Sequence, residues 1–188
     1  MTRYCEPWRA YHVLGHIHDC LSELDRERGL ARNPDAVEAA LWFHDAVYVP
    51  MRPDNEARSA DLAAAALERG GVAGPLIATV RELVLDTRHD LDPESDDGRL
   101  ISDVDLAILG AEPARFERYE QAVRQEYSEL PAPAYRMGRL AVLGSFVARR
   151  FLYFTDPFRE RYEAAARANL DRLREALRAP TFTAAEGE

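Results

Sequence analysis

Ala40-Leu41-Trp42-Phe43-His44-Asp45-Ala46-Val47-Tyr48 sets a histidine and an aspartate side by side at the end of an apolar run. Val37, Ala40, Leu41 and His44 fall at i, i+3, i+4 and i+7, the spacing of one helix face. Asp45 lies four residues past Leu41 and points nearly the same way. The pair therefore continues a buried stripe. A carboxylate carried into a core costs several kcal/mol or more unless something neutralises it. A divalent metal ion would satisfy both side chains at once, through an imidazole nitrogen and a carboxylate oxygen.

The remaining chemistry-bearing residues come into place with the helices that carry them. A first helix is expected after Pro7, with Val13, Leu14, Ile17, Leu21 and Leu24 on its core face. It carries His12, His16 and His18. His12 and His16 are i, i+4 neighbours. His16 and His18 flank the core stripe about equally, roughly 100° either side of its centre, and periodicity does not choose between them. Asn33 and Pro34 are a good N-cap and first residue for a second helix that runs to about His44. The prolines of Tyr48-Val49-Pro50-Met51-Arg52-Pro53 then demand an extended loop. Asp54 can cap a third helix that ends at Gly70-Gly71. Glu56 falls in its first turn, either as a carboxylate favoured by the helix dipole or as an acid/base group held near His44-Asp45.

A fourth helix is expected from Pro75, with Leu76, Val80, Leu83, Val84 and Thr87 as its stripe and His89 just after it. The acidic loop from Asp90 to Gly98 does not have calcium-loop spacing, since its glycine comes one place late and position twelve is Asp103. Ser102 can cap a short fifth helix that opens on Asp103 and Asp105 and ends at Gly110. Three longer helices follow. Their expected stripes are Phe116, Tyr119, Val123 and Tyr127, then Met137, Leu140, Ala141, Gly144, Val147 and Phe151, then Tyr162, Ala166, Leu170, Leu173 and Leu177. No period-2 alternation is long enough for a strand. The expected fold is all-α, an orthogonal bundle of about eight helices in one domain over residues 1–180, with a frayed tail at 181–188.

A His-Asp dipeptide occurs three times, at His18-Asp19, His44-Asp45 and His89-Asp90, and only the second lies on a buried stripe. In chain order the chain offers a histidine on the first helix, His44-Asp45, His89, and an aspartate opening the fifth helix. Two imidazoles and two carboxylates suit one divalent ion such as Mn, Fe, Co, Ni or Mg, with positions left for water. Cys5 and Cys20 are the only cysteines and form no C-x-x-C, so a thiolate zinc site is not on offer.

All 24 basic residues are arginine, which excludes a P-loop lysine, a Schiff-base lysine and a lysine general base. The net charge of −9 argues against a protein that coats nucleic acid. Residues 1–114 hold 11 arginines against 22 acids, and residues 115–178 hold 13 against 9. The acidic half carries the candidate ligands, while the basic half offers arginines to an anionic substrate or simply solvated helix faces. Two unclustered thiols, no apolar leader and no run near 18 apolar residues lead to the expectation of a cytoplasmic chain with no membrane span. No G-x-S-x-G and no G-x-G-x-x-G occurs.

The ordered set resembles the HD-domain superfamily of metal-dependent phosphohydrolases, whose signature is H…HD…D on a helical core. More narrowly, it is similar to the bacterial group of predicted metal-dependent HD phosphohydrolases. The matching pieces are Arg9 to His12 with His16-Ile17, Trp42 to Tyr48, Asp54 to Ala60, Thr87 to His89, Asp103 to Gly110, Val123 to Tyr127, and Ala168 to Leu170. The resemblance implies His16, His44, Asp45 and Asp105 as metal ligands, with Asp103 the reserve for the last, and makes His12 and His18 neighbours of the ligands. It implies Glu56 and His89 as catalytic acid/base groups, and Arg9, His12 and Arg124 as substrate-binding residues. The implied reaction is attack of a metal-activated water on a phosphoester of a nucleotide or other small phosphorylated compound. The competing expectations are a metal-containing nucleotide-sensing module without turnover and a plain helical interaction domain. The aromatic faces Tyr119/Tyr127 and Phe151/Phe154 suit a core or a homodimer interface.

Overall fold

Asn33 accepts a hydrogen bond from the Ala36 backbone N–H at 3.1 Å and Pro34 follows it, so the helix they start is capped as its sequence demands. It is one of eight α-helices in residues 2–179, the residues described in the computed structural model, which also hold three short 3-10 turns and no strand. The tail expected at 181–188 lies outside the described residues. The helices are α1 (Leu14–Arg26), α2 (Pro34–Phe43), α3 (Asn55–Arg69), α4 (Gly74–Asp86), α5 (Asp96–Leu106), α6 (Pro113–Glu126), α7 (Ala132–Ala148) and α8 (Asp156–Arg178). The fold is all-α, as expected.

Helices α2, α3 and α4 pack together, and α1 and α5 close over α2. Leu24, Val37, Leu41, Val80, Val84, Leu100 and Ile101 are fully buried where they meet. α8 lies across the Ala107–Gly110 turn and against α7. No helix among the described residues is long and apolar enough to cross a membrane.

Three local expectations fail, each for a physical reason. α1 starts at Leu14, not just after Pro7, because the backbone N–H groups of Ala10, Tyr11 and His12 all bond to the Glu126 carboxylate of α6. α5 starts at Asp96, six residues before the expected cap. Ser95 accepts from the Gly98 N–H at 2.9 Å, and Asp96 and Asp97 occupy the first turn, where the helix dipole favours them. Asp97 also accepts from the backbone N–H of Arg32 and Asn33, tying α5 to the start of α2. Ser102, Asp103 and Asp105 are thus interior residues of α5. The stripe of α7 is out of phase: Leu143 and Phe146 are buried, whereas Met137 is 72% exposed and Phe151 lies beyond the helix. Small and apolar residues of α7 itself lie on most of its faces, so its pattern selects none.

Gly110 fixes how closely α8 approaches. A Cβ there would stand 2.6 Å from the Tyr162 Cβ and 2.9 Å from its Cα. Gly110→Ala is expected to cost about 1–3 kcal/mol through overpacking, read as a lowered urea midpoint with unchanged slope. An unchanged midpoint would show that α8 moves aside freely.

Candidate metal centre

His16 is in the first turn of α1 and only 5% exposed, while His18 faces solvent. Ile17, Cys20 and Leu24 bury the same side of α1, which turns His16 toward α2 and α5. His44 is the C-cap of α2, its backbone N–H donating to the Ala40 carbonyl at 2.8 Å. Asp45 follows as the chain leaves the helix. Asp105 comes from the last turn of α5.

Four atoms converge. His16 Nε2 and His44 Nε2 are 3.1 Å apart. Asp105 Oδ1 is 3.1 Å from the first and 3.4 Å from the second. Asp45 Oδ2 is 3.5 Å and 3.0 Å from the same two nitrogens. Ligands about 2.1 Å from a common ion stand about 3.0 Å apart in an octahedron and about 3.4 Å apart in a tetrahedron. The N–N and N–O separations fall near these edges, and His16, His44 and Asp105 form a group able to hold a metal ion, with Asp45 flanking its two histidines.

The outer contacts suit the same role. His44 Nδ1 lies 2.9 Å from the Leu41 carbonyl, so Nδ1 donates and the Nε2 lone pair faces inward. His16 Nδ1 lies 3.6 Å from Cys20 Sγ. Burial pushes the Cys20 thiol well above its ordinary pKa, so it stays a thiol. Burial also pulls the His44 imidazole down, but Asp45 and Asp105 outweigh it and hold its pKa well above the ordinary value. Burial likewise raises Asp45 and Asp105, and the facing imidazoles outweigh it, so both carboxylates lie below the ordinary range.

His89 supports Asp105. Its Nε2 lies 2.8 Å from Asp105 Oδ2 and its Nδ1 3.1 Å from Ser102 Oγ. Its backbone has φ +57°, a left-handed conformation that a non-glycine residue adopts at a cost of roughly 1 kcal/mol or more. The Arg149 guanidinium donates to the His89 carbonyl and helps hold that turn. With both ring nitrogens engaged, His89 positions Asp105.

Beside the cluster opens a cleft of about 740 Å³, lined by His12, Asp45, Tyr48, Glu56, His89 and Asp105 from one side and by Tyr119, Arg139, Phe146 and Arg149 from the other. Glu56 is half-buried there. Burial raises its carboxyl above the ordinary value, and the nearby Asp45 and Asp105 charges add to this while His89 opposes it.

The structure gathers His12, His16, His44, Asp45, Glu56, His89 and Asp105 around one site. It does not bring Arg9 or Arg124 into the cleft. The Arg9 side chain is buried, donating to Glu6 and to the carbonyls of His12, Asp45 and Ala46. Arg124 donates to the carbonyls of Tyr127 and Leu130 and packs on the Tyr135 ring, closing the end of α6. Asp103 points away to the start of α8, accepting from the Phe154 N–H, the Thr155 N–H and the Thr155 hydroxyl at 2.7, 2.8 and 2.7 Å. Sequence reasoning missed Glu126, Arg139 and Arg149. The cleft-lining positions of Arg139 and Phe146 on α7 and of Arg149 just past its end were hidden by that helix's ambiguous pattern. No family model, no curated protein and no solved structure matches the chain.

Proposed function

We propose that the chain is a metal-dependent phosphohydrolase of HD type, acting on a small phosphorylated compound, with one divalent ion (Mn, Fe, Co, Ni or Mg) held by His16, His44, Asp45 and Asp105. The observation that carries the reading is the meeting of two imidazole Nε2 atoms with two carboxylate oxygens at 3.0–3.5 Å beside an open cleft. Bound there, such an ion supplies an acidified water and offsets charge on a phosphoryl oxygen. Glu56, half-buried on the cleft wall with a raised pKa, is suited to take the proton of the attacking water. Arg139 and Arg149 replace Arg9 and Arg124 as the cations facing an anionic substrate. The Arg139 guanidinium is held rigid by Glu120 and by the Tyr119 hydroxyl, which it contacts at 2.9 Å. His89 and Ser102 hold Asp105 in its orientation.

The deciding measurement is elemental analysis of protein purified without chelator, with Asp45→Ala beside it. About one equivalent of a transition metal in the wild type, lost in the variant, is the expected result. No metal in the wild type, even after reloading with Mn or Fe, removes the catalytic account and leaves a helical interaction domain. His89→Gln is expected to weaken metal binding about 10–100-fold, the usual cost of removing a residue that orients a ligand, measured by competition with a chelator dye. Unchanged affinity would assign His89 to the turn alone.

A further inference from the structure

We propose that His12, oriented by Glu126, is the proton donor to the leaving oxygen of the substrate. The inference rests on the phosphohydrolase reading and adds a residue pair to it. Glu126 is at the end of α6, and its side chain is fully buried. Its Oε1 accepts the backbone N–H groups of Ala10, Tyr11 and His12 at 2.8, 2.8 and 2.9 Å. Its Oε2 lies 2.6 Å from His12 Nδ1. Four N–H groups on one carboxylate is far more than a helix end needs, and they keep Glu126 an acceptor. Burial alone would raise its pKa, but these bonds hold it below the ordinary glutamate value. Nδ1 therefore carries the hydrogen, and Nε2 is the nitrogen left for the cleft that His12 lines. Among the described residues, Nε2 makes no hydrogen bond.

The ring is also locked in place. It stacks on Tyr48 at 3.8 Å with an interplanar angle of 27°, and the Tyr11 ring meets it edge-on at 5.0 Å. Its centroid is 6.1 Å from that of His16. That places it near a ligand, four residues ahead of it in the chain, without making it one. A histidine whose Nδ1 is held by a buried carboxylate and whose Nε2 faces a reaction cleft is the arrangement general acid catalysis requires. The two other acid/base candidates beside the cluster are committed. Both nitrogens of His89 are engaged, and Glu56 serves the water.

The step balances. The water oxygen forms its bond to phosphorus as its proton passes to Glu56. The bond from phosphorus to the ester oxygen breaks, its electron pair stays on that oxygen, and the oxygen takes the proton from His12 Nε2. Solvent then returns the Glu56 proton to His12.

Leaving-group dependence tests this, because an alkoxide needs the proton and a nitrophenolate barely does. With Mn²⁺ bound, His12→Gln is expected to lower kcat on glycerol 2-phosphate by roughly 10²–10⁴-fold and on p-nitrophenyl phosphate by less than about tenfold. Glu126→Gln should show the same bias. If it does not fold, His12→Gln decides alone. An independent readout is proton NMR of the metal-free protein. A far-downfield imidazole N–H resonance is expected in the wild type and absent from His12→Gln. Equal losses on both esters, or no such resonance in the wild type, overturns the donor role and leaves His12 a support for Tyr48. A wild type that hydrolyses neither ester with Mn²⁺ bound overturns the phosphohydrolase reading and the donor role together.

Discussion

Asp105→Ala is expected to abolish stoichiometric metal binding and to lower phosphoester turnover by roughly 10³-fold or more, while the helical circular dichroism signal stays intact. Asp105 touches three imidazoles, with Oδ1 facing His16 and His44 and Oδ2 facing His89. Its removal deletes one ligand and frees the histidine that orients it. The fold survives because the buried His44 imidazole can shed a proton and become neutral. The metal-free wild type gives a second, pH-resolved check. The raised His44 pKa contributes stability that is fully present below about pH 6.5 and is lost as pH rises through the raised value. The lowered Asp105 pKa contributes stability that is present above about pH 4 and is lost as pH falls through the lowered value. Both contributions are complete only between these limits. Urea midpoints of metal-free wild type should therefore be highest there, and Asp105→Ala should flatten the curve. A variant that still binds about one equivalent of metal would displace Asp105 from the ligand set.

Asp103→Ala is expected to do the reverse: large loss of stability, with metal stoichiometry retained under native conditions. Asp103 is fully buried and holds both backbone N–H groups at the start of α8 together with the Thr155 hydroxyl. Thr155 stands at the N-cap position of α8 without bonding its own helix, so Asp103 does that work from α5. Truncation leaves the Phe154 and Thr155 N–H groups without their acceptor, at about 1–3 kcal/mol each, or about 3 kcal/mol in all. For a chain of this length that corresponds to a fall in Tm of about 6–12 °C. Scanning calorimetry of metal-free protein measures it directly. A shift below about 2 °C would show that α8 is held by its packing on the Ala107–Gly110 turn and not by this carboxylate. The two variants together separate two aspartates that sit two residues apart.

Much of this molecule was legible in its residues. Asn33-Pro34 marked the start of α2 because capping is a local bond between a side chain and the next turn. His44 on the Val37, Ala40, Leu41 stripe was legible because helical periodicity fixes which side a residue faces before any partner is known. All-α architecture followed from the same periodicity, and a meeting of His44-Asp45 with a histidine of the first helix and an aspartate of the fifth was expected from their order.

What tertiary structure alone decided were the choices in which two local answers cost the same. His16 and His18 flank their stripe equally, and only the packing of α1 against α2 and α5 buries one and exposes the other. Asp103 and Asp105 both read as residues of a helix start. The structure moves the start back to Ser95, and the 100° rotation per residue then sends one carboxylate to α8 and the other to the metal centre. Arg9 and Arg124 have the chemistry of phosphate clamps, yet nearby backbone carbonyls hold them. Glu126 fell within a stretch that matched, yet its role was not legible, since the four N–H groups it faces lie more than 110 residues away in the chain. Local bonds and periodicity are written in neighbouring residues. The partner of a buried polar group is chosen by where the whole chain folds back, and no short stretch of sequence contains that information.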